Sequence, residues 1–370
     1  MNNEKIGFGE ALCILIIITL SHLILTLPKT IIESQGSSSI LNVLYVSIIA
    51  LIIVFVITKL YKNFKGKDIL DISEFLFGKF FKFIFGFVFI AYLIFVASLL
   101  VRNTSENLKS MYFNNTSIPF IALFLLFAAG FINKLGLKAV IKCNLIIVPA
   151  IIIILGLLFL VGSNNLVFER VFPILGYGAQ NTFVNGSSNV YAFSSIAFLF
   201  LIMPILKDYN EFNKISFSYV GIASLFIILT IASLLLTFPI EVASGSNVPI
   251  YILIREITFG NFIQRTDAFF VIIWILTTLS YLSIMIAFIL LIFKKITNIQ
   301  NKSAISNCLL AILFGTALIY SNILQIRFLQ SIVYKNFVLI FIFGINIAIL
   351  LLGNIKQMIL KRKKVDANIE

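Results

Sequence analysis

Charge is the scarcest resource in this chain: Asp, Glu, Lys and Arg make up 12% of its 370 residues, against 60% hydrophobic residues. So few polar groups cannot cover the surface of a water-soluble globule of this length. Cysteine is nearly absent. Cys13, Cys143 and Cys308 share no C-x-x-C spacing and read as small buried apolar residues, so neither a disulfide framework nor a metal site is expected, and no cofactor is implied. There is one histidine, His22, and no His/Cys/Asp cluster or nucleophile–base pair, which argues against an enzyme. The net charge of +13 is dispersed among short connections, a poor footprint for nucleic acid. The 15 acidic residues all lie in connections or at the ends of apolar runs, none at the centre of one. A carrier driven by a carboxylate proton keeps such a group deep in the bilayer, so that form of coupling is disfavoured.

What fills the chain instead is ten apolar stretches, over residues 8–28, 41–58, 81–101, 118–133, 140–161, 188–206, 216–238, 268–292, 304–324 and 332–352. A run of about 20 apolar residues matches a hydrocarbon core of roughly 30 Å. Backbone groups in lipid must be satisfied internally, so the runs are helices; barrel strands would be shorter and alternate. The expectation is an all-α polytopic membrane protein with ten transmembrane helices. With the N-terminus cytoplasmic, twenty of the 28 Lys and Arg fall on the inner side, including Lys361–Lys364 in the tail, and eight on the outer. That bias places both termini in the cytoplasm and the excess charge against anionic lipid. Residues 1–10 carry Glu4 and Glu10 and lead into a full span with no small-residue cleavage site, so no cleavable signal peptide is expected. Between spans two and three, charges interleave with Phe75, Phe77, Phe80 and Phe81, which suits a helix lying in the interface. On the outer side, Pro249–Phe259 is too short to cross and reads as a surface or re-entrant helix.

Ten spans divide into two halves of five: residues 1–161 and 188–352, joined by an outer loop over 162–187 and followed by a basic tail over 353–370, all one transmembrane domain. An odd-numbered repeat inserts its second copy upside down, giving the 5+5 inverted-repeat layout of transporters, with broken helices 1 and 6 around a site near the midplane. Span one carries Ser21-His22 ahead of Leu27-Pro28, and span six carries Ser194-Ser195 ahead of Met203-Pro204. A proline removes a backbone donor and clashes with the preceding turn. Breaks are expected near Ser21–Leu25 and Ser194–Phe198, although Pro kinks in ordinary spans are the simpler alternative.

Several short motifs recur in order along the chain: Ile24-Leu25-Thr26-Leu27-Pro28 in span one, Arg102-x-x-x-Glu106 at the outer end of span three, Pro173-Ile174-Leu175-Gly176-x-Gly178 after span five, and Arg265-x-Asp267 with Trp274 opening span eight. In these the chain resembles the B-subunit family of bacterial spore germinant receptors, a branch of the amino acid–polyamine–organocation superfamily. The resemblance implies a LeuT-like fold with spans one, three, six and eight around a small nutrient pocket. It also implies an amino acid or similar germinant, separate A and C receptor subunits, and the inner membrane of the spore, with both termini on the core side. Two departures stand out. The family commonly has glycines where this chain has Ser21 and Leu23, and often a Gly-x-Glu in span six where it has Ile196-Ala197-Phe198.

The residues flanking the two expected breaks are the candidate ligand contacts: Ser21, His22, Leu23 and Ile24 on span one, and Ser194, Ser195, Ala197 and Phe198 on span six. Polar groups at membrane depth are usually functional, and half-helix N-termini exposed by a break would favour a carboxylate. Tyr92 and Trp274 could wall such a pocket; helix or lipid packing is the plainer role for both. A sodium site drawing on Ser280 or Ser283 is open, as is the simpler reading that these hydroxyls bond their own helix. Arg102 and Glu106 form an i,i+4 pair, either an outer gate or an exposed ion pair of little consequence. Arg265 and Asp267 read as the cap of span eight, and Pro28 and Pro204 as the breaks themselves. Three functions follow in order: a permease-like sensor, a true secondary transporter of amino acids, and, behind both, a channel or membrane enzyme.

Overall fold

Among the described residues the one isolated β-bridge, Ile6 to Leu206, ties the start of the chain to the end of the sixth apolar stretch, and Val167 N donates to Leu236 O at 2.9 Å across the second half. The computed structural model describes residues 5–161, 166–256, 266–299, 302–320 and 322–366. The first apolar stretch forms α1 (Phe8–Ile24) and α2 (Leu27–Gln35); a tight turn at Gly36, whose φ of +60° favours glycine, leads into α3 (Ser39–Tyr61). Then come α4 (Ile69–Phe77), α5 (Lys79–Met111), α6 (Ile118–Lys134) and α7 (Leu137–Val161). The second half holds the helical stretch α8 (Gln180–Ile205), then α9 (Tyr209–Thr237), α10 (Ile240–Gly245), α11 (Pro249–Arg255), α12 (Asp267–Thr297), α13 (Lys302–Ile319) and the long α14 (Leu324–Arg362).

The protein is an integral membrane protein. Among the described residues, six helical stretches are long and apolar enough to cross a bilayer, and a seventh arises if the pair Ile118–Lys134 and Leu137–Ile153, which turns through 114°, is taken as one; α1 and Ser303–Ile319 are shorter apolar helices. The segment read as an interfacial helix forms α4, with Phe80 and Phe81 falling in α5 instead, and the segment read as a short outer helix forms α11 over Pro249–Arg255. Some boundaries move. The third apolar helix runs on to Met111, ten residues past its sequence-derived end, and the sixth helical stretch starts at Gln180, inside the segment read as loop.

Burial explains which helices sit where. Almost every residue of α1 from Ala11 to Ile24 is buried, polar or not, as expected of a helix that is apolar all round and enclosed by others. It packs against α7, α8, α9 and α12. By contrast α6 leaves Phe120, Phe124, Phe127 and Phe131 exposed at alternating four- and three-residue spacing, a single outward stripe suited to lipid. Cys13 is buried as expected, whereas Cys143 and Cys308 are exposed, because they fall on the outward faces of α7 and α13.

Candidate functional site

Two prolines decide the local geometry. Pro28 has no N–H to offer the carbonyl of Ile24, so α1 ends at Ile24. Leu25 (φ −88°, ψ −96°) departs from helical geometry, and from Thr26 as its N-cap the helix resumes at Leu27 with Pro28 in its first turn, where a missing donor costs nothing. The break therefore lies at the C-terminal edge of the expected segment, and Ser21 and His22 remain helical. In α8, residues 185–198 wind tightly as 3₁₀ helix, with Phe193 (φ −96°, ψ 28°) outside helical geometry, immediately before Ser194. Pro204 leaves the carbonyl of Phe200 without its helical donor. That carbonyl instead accepts from the Tyr61 hydroxyl at 3.0 Å.

Where the two interruptions meet, a cavity of about 30 Å3, room for one or two waters, is lined by His22, Thr26, Thr30, Tyr191, Ser194 and Tyr334 over an apolar floor from α5. The Tyr334 hydroxyl donates to Ser194 Oγ at 2.6 Å and stands 3.5 Å from His22 Nε2. His22 stacks on Tyr334 (centroids 5.5 Å, planes at 21°) and meets Tyr281 edge-on at 5.6 Å. Tyr334 ends a wide-turned π segment, Leu329–Tyr334, of α14, a geometry that recurs at functional sites. Beyond the cavity opens a larger vestibule of about 310 Å3. Thr26, Thr30, Tyr191 and Gln330 line both, and the Thr30–Tyr191 hydrogen bond of 2.5 Å stands at their junction.

Of the candidate ligand contacts, His22 and Ser194 line this cavity. The others are buried but outside its lining. Ser21 donates to Ile17 O at 2.8 Å, the plain back-bond of a helical serine. Ser195 closes a hydroxyl triangle with Thr19 (2.8 Å) and Tyr219, which themselves lie 3.0 Å apart. Phe198 packs edge-on against Phe288, Tyr92 stacks on Phe337, and Trp274 packs beside Phe270. Leu23, Ile24 and Ala197 are core. Ser283 bonds its own helix at Leu279 O.

The expected gating residues separate. Arg102 Nη2 binds Glu106 at 2.7 Å with side chains only 8% and 18% exposed, so this is a largely enclosed pair rather than a surface one, because α5 continues past it to Met111. Asp267 opens α12 and suits its positive end; Arg265 lies outside the described residues. The Pro173–Gly178 motif folds over the turn between α2 and α3. The Ser37 hydroxyl donates to Pro173 O at 2.6 Å, and Gly176 sits so close that a Cβ there would lie 2.5 Å from Gln35 O, at a φ of +49°. A glycine is required on both counts.

Contacts from three other helices clamp α4 in place. Asp68 and Asp71 form a capping box on α4, and Lys295 of α12 reaches both carboxylates at 2.6 Å. Lys82 binds Glu74 at 2.7 Å, and Lys356 of α14 caps the other end of α4 through Phe75 O and Leu76 O. Burial pushes the Asp68 carboxyl up to about 6, against the pull of Lys295 and with the push of Asp71; the hydrogen bond and charge of Lys295 outweigh burial at Asp71 and hold it below its ordinary value.

A sequence model described as "Spore germination protein", that of the spore permeases, matches residues 5–328 of the chain. The chain belongs to this family. Curated members from Bacillus subtilis (strain 168) align over about three-quarters of both chains: spore germination protein B2 at 22% identity over 274 residues, covering 74% of each, and spore germination protein KB at 20%, covering 73% of each. Among solved structures, this spore permease shares the fold of a Na+-coupled sialic acid symporter in a substrate-bound outward-open state (TM-score 0.66, 12% identity, 95% of this chain and 79% of that one). A nucleobase-cation-symport-1 family transporter in a closed conformation with bromovinylhydantoin bound is also similar (TM-score 0.63, 14% identity, 93% and 78%). The family and the fold are those of permeases and transporters.

Sequence reasoning overlooked Thr26, Thr30, Tyr191 and Tyr334. A usable signal existed for Tyr191, a hydroxyl three residues ahead of Ser194 in the stretch already expected to break. Tyr334 carried none, being one aromatic among the many in the last apolar run.

Proposed function

We propose that this spore permease is the nutrient-sensing, permease-like B subunit of a spore germination receptor, working with separate A and C subunits in the spore's inner membrane and binding an amino acid or similar small molecule between its two interrupted helices. The observation that carries the reading is the convergence of the α1–α2 break and the Phe193–Ser194 break on one polar cavity that leads outward into a vestibule. Interrupted helices at a membrane midplane form substrate sites in transporters. The ten-span layout is part of the proposal. The six long stretches, the two arms of the bent pair and the two shorter apolar helices match the ten sequence-derived spans in order, which supports that layout; the inverted five-plus-five arrangement, the single transmembrane domain and the spore-core side of both termini are proposed with it.

The test is germination of a strain in which the parent gene is replaced by Tyr334→Phe. This change keeps the ring and its stacking but deletes the hydroxyl shared with Ser194 and His22. The dose–response midpoint for the responding nutrient, normalised to protein level, is expected to rise about tenfold, on the order of 1.4 kcal/mol; Phe127→Leu on the exposed stripe of α6 should leave it unchanged. An unchanged midpoint in Tyr334→Phe would refute the site.

A true amino acid transporter is the second reading, favoured by the fold shared with coupled symporters. Uptake of the same nutrient into proteoliposomes holding this chain alone separates the two readings.

A further inference from the structure

The vestibule in front of the small cavity has a chemistry of its own. Three cations line it, Lys29, Arg327 and Lys335, against one carboxylate, Glu33. Lys29 is only 7% exposed, and its ammonium finds a single carbonyl, Gly245 O, at 3.4 Å. Arg327 donates to the amide oxygen of Asn247, and Lys335 reaches the amide oxygen of Asn189 at 3.5 Å while lying over the Tyr191 ring at 5.7 Å. Every partner is neutral. Among the described residues, no carboxylate lies within salt-bridge distance of any of the three.

An ammonium removed from water without a counter-ion is costly, and structures seldom keep one unless something else neutralises it. Lysine has three donors and arginine five, so each of these groups retains hydrogens for an incoming acceptor. A space of about 310 Å3 is at the lower end of small-molecule sites and suits a molecule of amino-acid size. Asn103, Asn189 and Ser34 supply neutral donors and acceptors around the same space.

We propose that the vestibule is a binding site for a small organic anion, held through a carboxylate by Lys29, Arg327 and Lys335. Glu33 is the selective element: it weakens, without cancelling, the pull of the three cations on any anion, and accepts an ammonium when the ligand carries one. This deepens the nutrient-binding reading by naming the ligand's chemical class, and it rests on that reading only for what lies beyond the Thr30–Tyr191 contact. The site itself is testable without any response.

The experiment is equilibrium dialysis of labelled succinate against the full chain in nanodiscs of zwitterionic lipid, which keeps anionic head groups out of the competition. The expected result is saturable binding that weakens as salt is raised, with the neutral diamide of succinate failing to compete. Lys335→Gln and Arg327→Gln should each weaken it about tenfold, the scale of one charge-assisted contact, and Glu33→Gln should tighten it. Lys29→Gln should do the same as the other two cations, but its burial makes folding a concern, so the half-exposed Lys335 and Arg327 carry the test. Absence of saturable succinate binding, equal competition by the diamide, or parent-like affinity in both Lys335→Gln and Arg327→Gln would overturn the proposal. A failed germination phenotype for Tyr334→Phe would leave it untouched.

Discussion

At the scale of single residues, each break is a problem of backbone accounting that particular side chains solve. Pro204 frees the Phe200 carbonyl inside a buried helix, and Tyr61, fully enclosed on α3, supplies the missing donor. Replacing Tyr61 by Phe keeps the ring against Phe200 and Phe212 but strands a buried acceptor. The expected loss is about 1–3 kcal/mol, read as a lower unfolding midpoint in detergent; unchanged stability would mean another group satisfies that carbonyl. His22 and Ser194 were legible in the sequence because a polar side chain deep in an apolar run announces itself. Tyr191 and Tyr334 were not, because an aromatic hydroxyl at the same depth looks like packing until the fold brings it to a partner: Tyr334 and Ser194 are 140 residues apart. Ser195 was legible as polar, yet its role in a closed triangle with Thr19 and Tyr219 depended on two other helices.

At the scale of elements, α4 shows how far local pattern reaches. Interleaved Phe and charge foretold a helix in this segment, whereas the Asp68–Asp71 capping box came to light only in the structure. The clamp was not legible either, since Lys295 and Lys356 lie more than 200 residues away on α12 and α14. The clamp also titrates. Asp68 binds its proton at about 6 in the folded chain, mainly because it is buried, and at an ordinary 3.8 when unfolded. Its contribution to stability is thus fully present below 3.8 and is lost as pH rises through 6. Asp71, held low by Lys295, contributes in the opposite sense, and only below its ordinary value does that contribution fade. Between pH 4 and 7 the Asp68 effect therefore dominates this pair. Asp68→Asn, still a good N-cap, should flatten the dependence of the unfolding midpoint on pH across that window by on the order of 2 kcal/mol. An unaltered slope in the variant would show that Lys295 keeps Asp68 ionised throughout.

At the scale of the whole molecule, the two faces of the permease are in different states. In the proposed orientation the outer face admits a vestibule of about 310 Å3 that ends at the Thr30–Tyr191 contact, while the inner face is covered by α4 beneath Lys295, Lys82 and Lys356. The apolar runs and their approximate limits were legible from length and hydropathy alone, because the bilayer imposes both; which face stands open was not, because it depends on contacts among helices far apart in sequence. The asymmetry predicts a pattern of chemical access. With Cys13, Cys143 and Cys308 replaced by Ser or Ala, a single cysteine at Gln330, on the vestibule wall, should react readily with a membrane-impermeant thiol reagent added from the outer side. One at Ser73, buried within α4 behind the clamp, should react slowly from either side, by tenfold or more on the scale set by about 1.4 kcal/mol of local opening. Adding Lys295→Met, which removes the bond joining α12 to both carboxylates, should raise the rate at Ser73→Cys from the inner side only. Equal rates at the two positions in the parent, or acceleration from the outer side, would show that the closed inner face described here is not the resting state in the membrane.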